Sequence, residues 1–209
     1  MSVSLVVLSS DGYSQYWDWF FALKNKYWQD CPYKTYLITE TKTCHQCETI
    51  NVASPIWTER VRKGLSKIKG RGNVLIMLED YFIRQPVNQK RIDEAEKLLT
   101  EEVASFNFEQ NYRDVPVEKN SWGLQKNNQV YLNSTQPSFW RKITLMNRLR
   151  EKLNAWDWEL KVVDSIYEHW INTGDQIIDT GYRHGQEFGI KQGKMTKECE
   201  LFLKKEGLL

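Results

Sequence analysis

Asn73-Val74-Leu75-Ile76-Met77-Leu78-Glu79-Asp80 is the stretch on which the reading of the fold turns. A short unbroken apolar run, with glycines at 70 and 72 before it and two acids after it, predicts a strand buried on both faces. Immediately upstream, Trp57, Val61, Leu65 and Ile68 recur at intervals of four, four and three, which draws one apolar stripe along a helix. Lys69-Gly70-Arg71-Gly72 closes that helix, with glycine available for the C-terminal turn. Further back, Tyr33 to Thr39 is rich in strand formers, and Glu40 to Glu48 reads as a polar loop. Ser14 to Tyr27 carries Tyr16, Phe20, Leu23 and Tyr27 at helical spacing and is closed by Pro32. Ser4 to Leu8 is a first buried strand, ending in Ser9-Ser10-Asp11-Gly12. Strand, helix, strand, loop, helix, strand is the alternation of an α/β sheet with parallel neighbours.

Beyond Asp80 the pattern predicts a helix from Asn88 to Ala104, with Ile92, Ala95, Leu99 and Val103 facing inward. Residues 105 to 120 read as polar and irregular. Strand-like pieces at 121–124 and 129–132 flank a turn at Lys126-Asn127-Asn128. Pro137 to Glu151 and Asp157 to Ile171 read as helices, 173–193 as short strands and glycine-rich loop, and Thr196 to Lys205 as a last helix stopped by Gly207. No repeat, low-complexity tract or linker divides the 209 residues, so a single domain over 1–209 is expected.

Lys and Arg total 29 against 27 Asp and Glu, a net charge of +2 that gives no electrostatic case for a nucleic-acid partner. No apolar run approaches the roughly 18 residues a membrane span needs. The start lacks a basic, signal-like region, so the expected location is the cytoplasm, where Cys31, Cys44, Cys47 and Cys199 stay reduced. Cys44-His45-Gln46-Cys47 supplies half of a zinc-knuckle spacing and nothing supplies the other half. Nine Trp and ten Tyr are the compositional anomaly. Indole and phenol rings join an apolar face to a polar edge, which suits carbohydrate; the competing reading is a tryptophan-rich core.

Ligands of open α/β sheets bind beyond the carboxyl ends of the strands. Three strands here end in polar residues: Ser9-Ser10-Asp11, Thr39-Glu40 and Glu79-Asp80. Mg²⁺ and Mn²⁺ take oxygen ligands, typically one or two carboxylates plus substrate phosphates, so Glu79-Asp80 is either such a site or a solvated strand end. Gln136-Pro137-Ser138-Phe139-Trp140-Arg141 places Pro137 as a first helical residue, with Ser134 and Gln136 at the N-terminus, there to meet a ligand or simply to cap. Trp156-Asp157-Trp158-Glu159 interleaves two carboxylates with two indoles. An apolar neighbour raises a carboxyl pKa toward the range of a general base, though helix-start acids beside core tryptophans read the same way. His184 lies among Gly181, Gly185, Gly189 and Gly193, with Arg183, Lys191 and Lys194. A glycine-rich basic loop of that kind closes over phosphates, and the histidine is either a second metal ligand or exposed.

In order, SSDGY, W-D-x-F (Trp17 to Phe20), D-C-P-Y (Asp30 to Tyr33), Y-L-I-T (Tyr36 to Thr39), W-x-x-R (Trp57 to Arg60), E-D-Y-F (Glu79 to Phe82), Q-P-x-x-W-R, W-D-W-E and G-K-x-T-K-E-C (Gly193 to Cys199) resemble a family of GT-A type glycosyltransferases. Such enzymes occur in bacterial capsule and lipopolysaccharide gene sets and as capsid-glycosylating domains of large DNA viruses. The resemblance spans nearly the whole chain. It implies a GT-A-like, mixed but mainly parallel sheet flanked by helices, with a nucleotide-sugar-binding half at 1–104 and an acceptor-side half at 105–209. It implies Mn²⁺ or Mg²⁺, a nucleoside-diphosphate sugar donor, usually a UDP-sugar, a glycan or glycoconjugate acceptor, and by default a monomer. Carried over, Ser9, Ser10 and Asp11 lie by the base and ribose, Thr39 and Glu40 by the same nucleotide half, and Arg60 reaches the donor. Glu79, Gln136, Trp140, Lys191 and Lys194 line the rest of the donor site. Asp80, with His184, binds metal, and Glu159 is the base or an acceptor-side carboxylate: Glu159 or Asp157 takes the acceptor proton if the enzyme inverts, and that carboxylate has another role if it retains. Leu78-Glu79-Asp80 departs from a strict D-x-D, which leaves open which acid touches the ion.

Two other function classes stand beside this one: a nucleotide- or sugar-binding module without turnover, and a nucleotidyltransferase. The latter is weakened by the absence of a glycine-rich phosphate loop after the first strand.

Overall fold

The computed structural model describes residues 3–70, 72–110, 115–181, 188–191 and 193–209. Eight strands form one sheet: β1 (Ser4–Leu8), β2 (Lys34–Thr39), β3 (Glu48–Asn51), β4 (Asn73–Leu78), β5 (Val103–Gln110), β6 (Trp122–Leu124), β7 (Ser138–Arg141) and β8 (Glu168–Asn172), in the order β3-β2-β1-β4-β7-β5-β8-β6. The first four run parallel, β7 reverses, β5 and β8 resume the original direction, and β6 opposes them at the edge. A small hairpin of β9 (Ile190–Lys191) and β10 (Lys194–Met195) stands apart. The helices are α1 (Trp17–Tyr27, led in by a 3-10 turn over Asp11–Tyr16), α2 (Trp57–Lys67), α3 (Gln89–Leu98), α4 (Lys142–Arg148), α5 (Ala155–Leu160) and α6 (Lys197–Lys205).

Strand periodicity sorts the core into two layers. Leu5, Val7, Leu37, Leu75, Met77 and Phe106 point to one face, where Phe20 of α1, Ile92 of α3 and Leu203 of α6 cover them. The alternate residues Val6, Leu8, Ile38, Val74, Ile76 and Trp140 point to the other, under Leu65 of α2, Leu145 of α4 and Trp158 of α5. The result is an α/β/α sandwich around a mixed, mainly parallel sheet.

The amino-terminal reading holds closely; the carboxyl-terminal half differs at several points. The helix expected over 88–104 stops at Leu98, and Val103 and Ala104 open β5, so part of the stretch read as irregular is a core strand. The division between halves at 104 falls inside that strand. Ser138 to Arg141 is β7, paired on both sides, and the helix begins only at Lys142. The helix read over 157–171 is α5 plus the separate strand β8. Tertiary pairing overrides local spacing here, because Phe139, Trp140, Trp170 and Ile171 suit a pleated surface as well as a helix. β3 was hidden at the end of the expected loop, and 129–132 forms only an isolated bridge from Gln129 to Val163. No helix among the described residues is long and apolar enough to cross a membrane.

Candidate functional site

Sheet register builds the site. Leu8 is level with both Ile38 and Leu78 in parallel pairs, so the next residues, Ser9, Thr39 and Glu79, come abreast where the three strands end. β7 runs antiparallel beside β4 with Ser138 opposite Ile76, which brings Gln136 to the same edge. Residues far apart in the chain therefore meet for a reason fixed by backbone pairing.

On the β1–β2 side, Glu40 accepts from the Asp11 backbone N–H at 2.5 Å and pairs with the Arg60 guanidinium at 2.5 Å. Arg60 reaches out of α2, only 4% exposed, and also donates to the Ser54 carbonyl at 2.9 Å. Burial lowers its pKa, opposed by the charges of Glu40, Glu79 and Asp11. The Asp11 carboxylate accepts from Thr39 Oγ1 at 2.9 Å, from the Thr41 hydroxyl at 2.5 Å and from the Lys42 N–H at 3.0 Å. Burial acts to raise its pKa, but these hydrogen bonds together hold it well below the usual carboxylate range. Ser9 Oγ takes the Trp17 indole N–H at 2.8 Å, and Ser10 is half-buried beside it.

At the centre, burial first and the adjacent Asp80 second push Glu79 well above its ordinary pKa, while a Ser9 hydrogen bond and Arg60 pull the other way. Burial pushes Asp80 up to about 7. Asp80 Oδ1 is buried and has no hydrogen-bond partner among the described residues. A buried carboxylate oxygen left unsatisfied is costly, and a cation beside it would remove the cost. That donor set fits a divalent ion completed by ligand phosphates and water. Among the described residues there is no group of three or more His, Cys, Asp or Glu that could enclose a metal.

On the β7 side, Tyr81 follows Asp80 and its hydroxyl bonds Thr135 Oγ1 at 3.2 Å and the Gln136 amide at 3.2 Å. Glu159 of α5 accepts from the Thr135 N–H at 2.6 Å and hydroxyl at 2.8 Å. A continuous chain Tyr81–Thr135–Glu159 thus connects the acid pair with the candidate base. Tyr81 and Thr135 were missed in the sequence because neither is titratable near neutrality. The repeated Tyr and Thr beside named motif residues was the only signal.

The glycine-rich end lies over the same edge. A side chain at Gly189 (φ 100°) would sit 3.5 Å from the Asp80 carbonyl, and the Gly193 carbonyl accepts from Tyr16 at 3.2 Å. Lys191 and Lys194 are cross-strand partners on that hairpin.

Some expected members lie elsewhere. Trp140 is 1% exposed, its indole N–H held by Ser138 and its ring against Trp158 and His169, so it is core and has no surface to offer a ligand. Gln136 stands in the loop before β7 and not at a helix N-terminus, since the helix there begins six residues later. Asp157 is exposed and exchanges hydrogen bonds with Asn154, the cap of α5, at 2.7 and 2.8 Å. That is a capping geometry, and only Glu159 of the pair is turned into the network. His184 lies outside the described residues.

No family model matches the chain, and no curated protein matches it. Solved structures do. A 4-diphosphocytidyl-2C-methyl-D-erythritol synthase superposes at a TM-score of 0.55 with 11% identity, covering 97% of both chains. A cytidylyltransferase from Leptospira borgpetersenii superposes at 0.51 with 9% identity, covering 99% of this chain and 95% of that one. At these identities the likeness shows the fold. TarS of S. aureus gives a TM-score of 0.46 with 12% identity over 85% of this chain. The chain spans 36% of TarS and 50% of the bifunctional IspDF from Campylobacter jejuni, which superposes at 0.47 with 14% identity over 84% of this chain.

Proposed function

We propose that this protein is a metal-dependent glycosyltransferase that moves a sugar from a nucleoside-diphosphate sugar, a UDP-sugar, to a hydroxyl of a glycan acceptor. The carrying observation is the acid pair at the end of β4, with Asp80 Oδ1 buried and unpartnered among the described residues and a hydrogen-bond chain leading from its neighbour Tyr81 to Glu159. Asp80, supported by Glu79, would hold Mn²⁺ or Mg²⁺. Bound there, the ion supplies neutralisation of the leaving diphosphate as the sugar C1–O bond breaks. Lys191 and Lys194 add positive charge to the same phosphates from the hairpin. Arg60 and Glu40 fix the Asp11 loop on the nucleoside side. Thr135 orients the Glu159 carboxylate, and in an inverting transfer Glu159 takes the proton of the acceptor hydroxyl. The reading includes a monomer working in the cytoplasm.

The fold likeness to cytidylyltransferases makes nucleotidyl transfer the second reading. Against it stands the absence of a glycine-rich phosphate loop in the sequence after β1. One pair of assays separates the readings. UDP release from a panel of UDP-sugars in Mn²⁺, abolished by EDTA and by Asp80→Ala, supports sugar transfer. Pyrophosphate release from CTP with a sugar phosphate, without donor hydrolysis, overturns it in favour of nucleotidyl transfer. Donor binding with neither reaction overturns it in favour of a binding module.

A further inference from the structure

A second cavity, of about 310 Å³, lies away from the strand-end site. Its walls include Val103 and Glu168, the first residues of β5 and β8, together with Phe106, Trp122 and Trp170, and it has Lys97 and Lys119 on its rim. Because β5 and β8 run in the direction of β4, the cavity is at the opposite end of the sheet from Glu79-Asp80. Ser105 and Val74 share the partner Trp140, and five residues separate Val74 from Glu79, about 17 Å at 3.3 Å per residue.

The wall is aromatic. Trp122 is fully buried behind it, and its indole N–H has no hydrogen-bond partner among the described residues. Trp170 is half-buried and stacks on Phe106 with ring centroids 6.3 Å apart and planes at 18°, which fixes its orientation before any ligand arrives. Glu168, the acid of the wall, is engaged by the Trp170 indole N–H at 3.0 Å. Lys97 and Lys119 are both exposed, and no ion pair to either side chain is formed among the described residues. A neutral indole donor leaves the Glu168 charge in place, so the mouth carries two ammonium groups against one carboxylate.

The rim is also held at a conformational cost. Asn120 (φ 48°) and Ser121 (φ 64°) occupy the left-handed region in succession, between Lys119 and Trp122. Arg91 clamps that turn, donating to the Asn120 carbonyl at 2.7 Å and the Ser121 carbonyl at 3.1 Å while its guanidinium covers the Trp122 ring at 4.7 Å. Two strained non-glycine residues fixed over a cavity are the kind of arrangement that persists at ligand clamps.

We infer that this cavity is a binding site for an acidic saccharide, with a sugar face on the half-buried Trp170 indole and the acidic group on Lys97 and Lys119. An apolar face with a polar rim is what an indole wall with two ammonium groups complements. The inference stands independently of the donor reading, since the two sites share no residue.

The test follows the indole N–H signals in a ¹⁵N spectrum of the whole chain on titration with a hyaluronan tetrasaccharide, with neutral cellotetraose as control. The expected result is a saturable shift of the Trp122 and Trp170 signals with the acidic probe, at least tenfold weaker with the neutral one. Lys97→Gln/Lys119→Gln, at two exposed positions, should weaken the acidic probe at least tenfold while UDP-dependent melting shifts stay unchanged. Absence of any shift at millimolar probe, equal binding of cellotetraose, or full binding by the double variant would each overturn the assignment. Loss of donor turnover with this binding intact would count against the donor reading alone.

Discussion

Asp80→Asn should make the metal-free protein more stable while removing its response to metal. Asp80 is pushed up from 3.8 to about 7 by burial. A carboxyl whose folded pKa lies above its unfolded value stabilises fully below pH 3.8, and that contribution is lost as pH rises toward 7. At pH 8 the folded state bears the whole penalty, about 3 pKa units or a ceiling of about 4 kcal/mol at 1.36 kcal/mol per unit. Asparagine removes the charge and its repulsion with Glu79 but leaves a buried amide, which costs about 1–3 kcal/mol if unsatisfied. A net gain of about 1–3 kcal/mol at pH 8 follows, or about 3–10 °C in melting temperature for a chain of this size. The gain should vanish as pH falls and become a loss of about 1–3 kcal/mol near pH 4, where the folded carboxyl is protonated and only the cost of the buried amide remains. In Mn²⁺ with UDP the order should invert, because a ligand at 100 times its dissociation constant stabilises the native protein by about 2.7 kcal/mol and the variant cannot recruit it. The assay is thermal melting of both proteins in EDTA and in Mn²⁺/UDP across pH 4–8. A variant less stable than the parent in EDTA at pH 8 would refute the reasoning, since Asp80 would then be a satisfied structural residue.

Arg60→Met leaves Glu40 without its buried counter-ion and should cost about 3–5 kcal/mol in urea unfolding, with Arg60→Lys intermediate; a loss below about 1 kcal/mol would contradict the network. Gly64→Ala should destabilise by about 1–3 kcal/mol despite its helix-propensity gain of about 1 kcal/mol, because the new Cβ would lie 2.6–2.9 Å from three atoms of Ile38. In an Ile38→Ala background the Gly64→Ala change should carry no such penalty, and additive losses in that double-mutant cycle would exclude the clash. His169 is pushed down to about 3 by burial and then by Arg148, and is held by Ser105 at 2.8 Å and Ser165 at 3.1 Å. A base with a depressed folded pKa contributes stability above its unfolded value near 6.5 that is lost as pH falls toward 3. The parent should therefore lose about 1.4 kcal/mol per pH unit below about 6.5 relative to His169→Gln, and parallel profiles would show that the histidine is protonated in place.

The chain from Ser4 to Asp80 declared itself in the sequence because its elements are local. Short Val-, Leu- and Ile-rich strands ending in Ser, Thr and acids, separated by striped helices, fix both the α/β class and the edge at which Asp11, Glu40 and Glu79-Asp80 gather. The carboxyl-terminal half was legible as motifs and not as geometry. Trp140 and Asp157 stood in the same conspicuous motifs as Gln136 and Glu159, and no spacing rule told which side chain turns inward. Antiparallel pairing of β7 with both β4 and β5 decided it: that register buries Trp140 between layers, delivers Gln136 to the strand ends, and sets the loop through Thr135 where it meets Glu159 of α5. Pairing between strands so far apart in the chain is invisible to local periodicity. The sequence by itself determined which chemistry was present at the strand ends. Only the tertiary structure decided that one oxygen of Asp80 is buried without a partner among the described residues, because burial is a property of everything packed around an atom and not of its chain neighbours alone.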